Sequence, residues 1–557
     1  MTKSKLLASV CPLVVAAIGI AGTAGAQVTT QTYGSGNTLF APYLRQAEDC
    51  YGNPTALVVQ GPNTHSPTTI NITPFNYLGT PAFNCATTHV DSTVQLNTIE
   101  TSSGTGIKAL FSHDPVTFWG DTVPPGGNNT PYPTVNWATS ETVLGATDVA
   151  VYNSGGTEQT ITFGPGKQYP VPQPLYGALI QFPMAITPIV MAYDSVYKKI
   201  RNADNSVTSY HFRIHRPRSD GSGGLVLNAA EYCGIFNGQI TNWNDPALQA
   251  LNGGVSLKDP ADPDSNFSVP LTMVGRSDSA GATSTWTRHL AAECPLVISG
   301  NQYADSTTTL PAALQGPSWN KTNPNFGPGS GVTDVPGKYT LAAGADGVAD
   351  YIQFDPTNLP GPSAGNEVVQ GRMGYDGADE VLPAVVSTGD NTFGLQSASI
   401  LRAVGAAPIS PTAKSALLAY AANITPPTGA NESHPDLWVQ PDSKTAAVAI
   451  PANLKAYPIV GTSNFIGYTC YSQANVAKSL AAYLFWFESS KVVNSITLGN
   501  LDAAGSAAMP LVWLNAIEHT FLKPTSSLKP LNLYILQAGT GPATGTGSQC
   551  KAITPGG

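Results

Sequence analysis

Charge is what this chain has least of. Asp, Glu, Lys and Arg make up only 11% of its 557 residues, and the balance is acidic: 26 Lys and Arg against 35 Asp and Glu, a formal net charge of −9. That excludes nucleic acid and an anionic membrane surface as partners. A small anion is not excluded, because backbone amides and helix N-termini hold anions without net positive charge. Long apolar runs are missing after residue 20, so no membrane insertion is expected. Metal signatures are absent too. There is no Cys-x-x-Cys pair and no His-Glu-x-x-His, and the 8 histidines are scattered. The one Gly-x-Ser-x-Gly match, Gly361–Gly365, reads Gly-Pro-Ser-Ala-Gly and stands in a Pro/Gly/Asn-rich stretch, which marks it as a turn. The chain reads as a protein without catalytic residues, resident metal or cofactor.

The N-terminus is informative. Lys3 and Lys5 precede an apolar stretch, Leu6–Ile20, and Ala24-Gly25-Ala26 supplies small residues before Gln27. This is a signal peptide over 1–26, which places the mature chain in the periplasm or outside the cell. Its removal takes away Lys3 and Lys5, leaving 24 basic against 35 acidic residues, or −11. It also removes Cys11, so six cysteines remain in an oxidising compartment. Order along the chain favours Cys50–Cys85, Cys233–Cys294 and Cys470–Cys550, among the 15 pairings open to six cysteines. About 530 mature residues exceed one compact core, so at least two lobes are expected.

With 55 Gly and 46 Pro the chain is rich in loops. Pro/Gly/Asn stretches at Pro124–Pro133, Asp259–Asn266 and Pro317–Pro336 read as surface insertions. Apolar runs at Ala178–Phe182 and Pro188–Ala192 read as strands, and Val476–Glu488 as a helix with Ala477, Leu480, Ala481, Leu484 and Phe485 on one face. Strands alternating with helices imply an α/β sheet. His211–His215 has the period of a strand, with His211, Arg213 and His215 on one side. Lys198, Lys199, Arg201, Arg216 and Arg218 surround it, which reads as a solvated basic hairpin.

Four loops share one chemistry: Gly34–Leu39, Ser102–Lys108, Trp137–Leu144 and Gly275–Thr283. Each carries Ser or Thr, three of them with glycine, and so could place free amides and hydroxyls at a helix start. Arg276 adds a fork that matches a tetrahedral anion. Taken singly, each loop is an ordinary turn in a glycine-rich chain.

In this order the loops resemble those of the periplasmic phosphate-binding proteins of ABC importers, and especially the DING proteins. Tyr232–Asp245, which ends Thr-Asn-Trp-Asn-Asp, resembles the family's Thr-x-Trp-Asn-Asp segment. Leu179–Pro183 resembles its first inter-lobe crossing and Tyr457–Gly461 its return. Cys233 and Cys294 stand where DING proteins carry a disulfide. The matching segments run from Gln31 to Leu522.

The resemblance implies an α/β, two-lobed periplasmic-binding-protein fold of type II, with crossing hinge strands and long loop insertions. Lobe 1 would comprise 27–182 and 453–557, and lobe 2 residues 183–452. It implies a solute-binding protein that takes phosphate or a related oxyanion in the cleft, as a monomer, with an ABC permease as partner. The ligand contacts it implies are Thr38, Leu39, Ser103, Glu141, Arg276, Ala280, Gly281 and Ala282, supported by Asp278, Ser279 and Thr283. This chain departs from the family at three of them: Glu141 stands where the family has Asp, and Ala280 and Ala282 stand where it has hydroxyl residues. Asp148 is the alternative acid. Arg276→Ala is expected to abolish anion binding at an unchanged melting temperature, and Ser279 or Thr283 to replace the hydroxyls that are missing.

Overall fold

The structure is a computed structural model. It describes residues 28–36, 39–53, 90–99, 101–112, 134–154, 160–162, 168–170, 177–214, 222–236, 238–276, 278, 280–298, 339–342, 344–354, 360–381, 394–420, 424–439, 448–471, 473–488, 501, 505–522 and 535–537. The signal segment, Cys85, Cys550, His215, Arg216, Arg218 and two of the insertions, Pro124–Pro133 and Pro317–Pro336, lie outside the described residues.

One long curled sheet organises the chain. Its first half is built on β1 (Thr30–Gly36), which pairs in parallel with β2 (Val94–Ile99) and β3 (Trp137–Ser140). A small hairpin of β4 (Thr160–Thr162) and β5 (Gln168–Pro170) follows. Next comes β6 (Leu179–Tyr193), 15 residues long and buried throughout. The two strand runs expected at 178–182 and 188–192 are therefore one continuous strand. Pro183 and Pro188 interrupt the apolar pattern without breaking it, because each leaves only one ladder donor missing.

The second half contains β9 (Ser222–Leu227), β10 (Thr272–Arg276), β11 (Tyr339–Ala342), β13 (Arg372–Gly377) and β14 (Gln396–Ile400). It attaches to the far end of β6, where Ile189–Tyr193 pair with β13. The chain returns through β15 (Val460–Tyr468), which runs antiparallel to β6 from Val460↔Pro188 to Tyr468↔Leu179 and then borders β3. The spatial order is β11-β10-β13-β6-β15-β3-β1-β2, so β6 and β15 carry the chain between two α/β lobes.

Helices cover both faces. In α1 (Ala41–Tyr51), Tyr43, Leu44, Ala47 and Tyr51 recur at helical spacing and are buried. α2 (Ser103–Ser112) buries Ile107 and Leu110, and α3 (Ala146–Ser154) buries Val149 and Tyr152. In the second lobe, α4 (Ala229–Phe236) lies against α6 (Gly281–Val297), with the short α5 (Pro246–Leu251) between them in sequence. α6 directs Trp286, Leu290 and Cys294 inward at i, i+4 and i+8. The Cys233–Cys294 disulfide joins the two helices, and Tyr232 bonds His289 Nε2 at 2.8 Å. Cys50 and Cys470 are also disulfide-bonded. The helix expected at 476–488 spans Ala474–Glu488, with Ala477, Leu480 and Leu484 buried and Ala481 and Phe485 half-buried.

The basic hairpin differs from its expectation. β7 (Val196–Arg201) and β8 (Val207–His211) pair, with β12 (Glu367–Val369) on the other side of β7, but the second strand stops at His211. Arg213 N–H instead bonds the Leu257 carbonyl, so Phe212 turns into the core against Trp243, ring centroids 4.0 Å apart. Lys198 is not solvated. It is 2% exposed and pairs with Asp262 at 3.2 Å, with Glu367 at 3.0 Å and with Asp264. Asp262 also accepts from the Tyr197 hydroxyl at 2.6 Å, which pins the Asp259–Asn266 stretch to the hairpin. Three carboxylates around one ammonium compensate its burial, which an isolated charge would not survive.

Candidate functional site

The described ends of the four loops meet between the lobes. On the first lobe, β1 ends at Gly36, whose φ of +113° is open to glycine alone; a Cβ there would lie 2.0 Å from the Thr139 carbonyl oxygen. α2 packs against this turn so closely that a Cβ on Gly106 would lie 2.7 Å from the Gly36 Cα. The glycines of the first two loops thus let β1 and α2 touch, which carries Leu39 and Ser103 to the same rim. Both are buried, at 3% and 1% exposure.

Glu141 follows β3 and is 1% exposed. Its N–H donates to Ser103 Oγ at 3.1 Å, and the Ser103 hydroxyl in turn donates to Glu141 Oε2. Two crossing-strand side chains clamp the loop. Asn464 Nδ2 on β15 bonds the Ser140 carbonyl at 3.0 Å. Gln181 on β6 takes the Leu144 N–H at 2.8 Å and returns a bond to its carbonyl at 3.1 Å. These two positioning residues carry no motif. Their only sequence signal is a lone amide inside an apolar strand. Asp148 sits elsewhere, at the start of α3, where its Oδ2 accepts from the Gly145 N–H at 2.9 Å.

The second lobe supplies the other side. Arg276 ends β10 at 1% exposure and holds Asp278 bidentately, Nε to Oδ1 at 2.8 Å and Nη2 to Oδ2 at 2.6 Å. Asp278 Oδ1 also accepts from the Gly344 amide at 3.1 Å, at the start of helix Gly344–Ile352. Burial alone would push the Asp278 carboxyl up, but Arg276 outweighs it and holds it below the usual range. Burial likewise disfavours the guanidinium, and Asp278 and Asp376 overcome that and raise its pKa.

Ala280 is the N-cap of α6, with no side-chain cap, and the first turn has no acid. The first carbonyl, that of Ala280, takes the Ser284 amide at 3.2 Å, so the amides of Gly281, Ala282 and Thr283 are the orphan donors of the helix start. The Thr283 Oγ1 lies 2.5 Å from the Tyr375 hydroxyl, which also accepts the Arg276 N–H at 3.0 Å. Thr38 and Ser279 lie outside the described residues.

The two sides touch at one glycine. A Cβ on Gly281 would lie 2.5 Å from Glu141 Cβ, 2.6 Å from Glu141 Oε2 and 2.6 Å from Ser103 Oγ. No other residue type fits there. Leu39, Ser103, Glu141, Arg276, Ala280, Gly281 and Ala282 therefore surround one buried point, where α1, α2 and α6 all begin and none has an acid in its first turn. Burial pushes the Glu141 carboxyl up, opposed by the Ser103 hydroxyl, Arg276 and the Leu39 amide. Its Oε1 is buried and has no hydrogen-bond partner among the described residues. Amides at a helix start and an arginine are groups that suit an oxyanion, and here one carboxylate is set among them and takes the Ser103 hydroxyl.

Ala280→Ser is a local test of this geometry. At an N-cap with extended backbone, the new hydroxyl accepts from the Thr283 amide and is expected to stabilise the protein by about 1 kcal/mol, read from its denaturation midpoint.

Comparison with known proteins agrees with this architecture. A high-affinity periplasmic phosphate-binding protein, PfluDING, solved with phosphate, superposes with a TM-score of 0.52 at 22% identity, covering 91% of this chain and 96% of that one. A phosphate-binding protein from Stenotrophomonas maltophilia gives 0.52 at 20%, covering 93% and 98%. Among sequences, alkaline phosphatase L of Pseudomonas aeruginosa is 24% identical over 348 residues, 61% of this chain and 72% of that protein. A phosphate-binding protein of an unknown prokaryotic organism is 24% identical over 399 residues, 71% and 82%. The PBP superfamily domain matches residues 76–500, more than half of the sequence, and the chain, PstS-like in fold and resembling the DING proteins, belongs to that superfamily.

Proposed function

We propose that this protein is an exported solute-binding protein that captures phosphate or a closely related oxyanion between its lobes, 27–182 with 453–557 and 183–452, and performs no chemistry on it. The observation that carries the reading is the contact of Gly281 with Glu141 and Ser103, which sets the start of α6 against the loops of the first lobe, and the nearness of the Arg276 charge to Glu141 supports it. The phosphate-binding relatives support the same ligand. Among the described residues no helix is long and apolar enough to cross a membrane, and an ABC permease is the proposed recipient of the ligand.

Ala280 and Ala282 offer no hydroxyl to the ligand. Hydrogen bonds to charged groups contribute about 1.5–3 kcal/mol each, so affinity is lower than with hydroxyls there by roughly 10² to 10⁴. Glu141 weakens binding further, because its carboxylate takes the Ser103 hydroxyl for itself. Glu141→Asp withdraws the carboxylate by one methylene and keeps an acceptor in place. It is expected to tighten phosphate binding about ten-fold.

Calorimetric titration of protein stripped of ligand by refolding, against phosphate, arsenate, sulfate and simple phosphate esters, tests the reading. Saturable binding of phosphate or a phosphate ester is expected. No binding by any of them leaves a protein that has kept the fold and lost the ligand, a reading the two alanines favour. Robust turnover of a generic phosphate ester would instead make it an enzyme, as the name of one relative implies for that relative. His289 offers no base for such turnover. It lies two turns into α6, bonded to Tyr232 and to the Ala449 carbonyl, and burial lowers its pKa to about 4.

A further inference from the structure

A second cavity lies on the flank of the first lobe. It is a groove of about 580 Å³ between the start of β1, the segment leading into β3 and the start of helix Ala474–Glu488. Among the described residues, no Asp, Glu, Lys, Arg or His lines it. Its polar groups are amides and hydroxyls, chiefly Thr29, Gln31, Tyr33, Asn136, Gln473 and Asn475.

Several of them are already fixed in place. The Tyr33 hydroxyl donates to Gln31 Oε1, Gln31 Nε2 donates to Gln95 Oε1 at 2.9 Å, and Asn475 Nδ2 donates to Thr30 Oγ1 at 3.2 Å. Asn136 forms the floor at 1% exposure. Its Oδ1 accepts the Tyr33 N–H at 2.8 Å, which sets the orientation of the amide, and its Nδ2 has no partner among the described residues. A buried donor without a partner is unusual and asks for an acceptor.

We propose that this groove binds a neutral saccharide. A charged ligand finds no counter-charge among the described lining residues, and a purely apolar one would strand the amides. A sugar hydroxyl both donates and accepts, as does each Asn or Gln amide, so neighbouring hydroxyls match neighbouring amides. The half-buried Tyr33 ring offers an apolar surface to the C–H face of a pyranose. Gln31, Tyr33, Asn136 and Asn475 are pre-oriented by bonds to one another or to neighbouring residues, which lowers the ordering cost of binding. The groove shares no residue with the oxyanion cleft, so the inference stands or falls independently of it.

Titration of the full exported chain with glucose, galactose and N-acetylglucosamine, followed by calorimetry and saturation-transfer NMR, is the test, with cyclohexanol as the apolar control. At least one sugar is expected to saturate with a Kd of about 0.1–1 mM. Asn136→Leu should weaken it about ten-fold and the exposed pair Gln473→Ala/Asn475→Ala at least about three-fold, with the phosphate titration unchanged. If Asn136→Leu does not fold, the exposed pair decides. The proposal is overturned if no sugar saturates by roughly 20 mM, if cyclohexanol binds as well as the sugars, or if the exposed pair leaves affinity unaltered.

Discussion

Arg276→Ala is expected to abolish phosphate binding, a loss of about 10³ in Kd, and to destabilise the empty protein by roughly 3–5 kcal/mol. The first effect follows from losing the cation that Asp278 holds beside the proposed anion site. The second follows from burial: Arg276 is 1% exposed and its charge balances Asp278 and the buried Asp376, so its removal leaves two largely buried carboxylates uncompensated. The sequence alone predicts an unchanged melting temperature, because it presents the pair as two polar residues in an open loop. The structure reverses that. A double variant, Arg276→Met/Asp278→Asn, separates the effects by removing both charges together. It should recover much of the stability and none of the binding. Calorimetry and thermal melts on the three proteins decide, and binding within ten-fold of wild type in Arg276→Ala would remove Arg276 from the site.

Loss of the Cys233–Cys294 bridge should have an effect of similar size on stability. The bridge closes a loop of sequence separation 61, for which the chain-entropy account gives about 4 kcal/mol. The loop contains α5, β10 and the start of α6, so the unfolded state regains freedom over the segment that carries Arg276. Cys233→Ala/Cys294→Ala is expected to lower the urea midpoint accordingly, and reduction of the wild type to lower it only to the extent that the buried sulfurs become accessible. A loss below about 1 kcal/mol would show that contacts such as Phe236 with Trp286, at 4.6 Å between ring centroids, hold α4 to α6 unaided.

Much of this was legible from residues alone, and the reasons differ by feature. The loop glycines announce the site because a close approach admits no Cβ, and Gly281 is the clearest case. The crossing strands were legible as apolar runs, but not as one strand, since periodicity is blind to whether a proline sits at a ladder position that needs its N–H. Gln181 and Asn464 were invisible, because a single amide in a strand has no local signature and acquires meaning only when a distant loop presents a bare carbonyl. Lys198 was misread for the opposite reason. Its neighbours in sequence are basic, while its partners, Asp262, Asp264 and Glu367, come from far along the chain.

Because β6 and β15 stay hydrogen-bonded to each other from Leu179↔Tyr468 to Pro188↔Val460, what joins the lobes is a ribbon and not a slack tether. Parting the cleft therefore has to twist or bend a two-stranded ladder, most easily where its register slips between Ser463 and Asn464 opposite Ala185 and Pro183. Such a ribbon acts as a spring. It is expected to confine the lobes to bending or twisting about one line, so that reclosing returns Gly281 to the same place against Glu141 and Ser103.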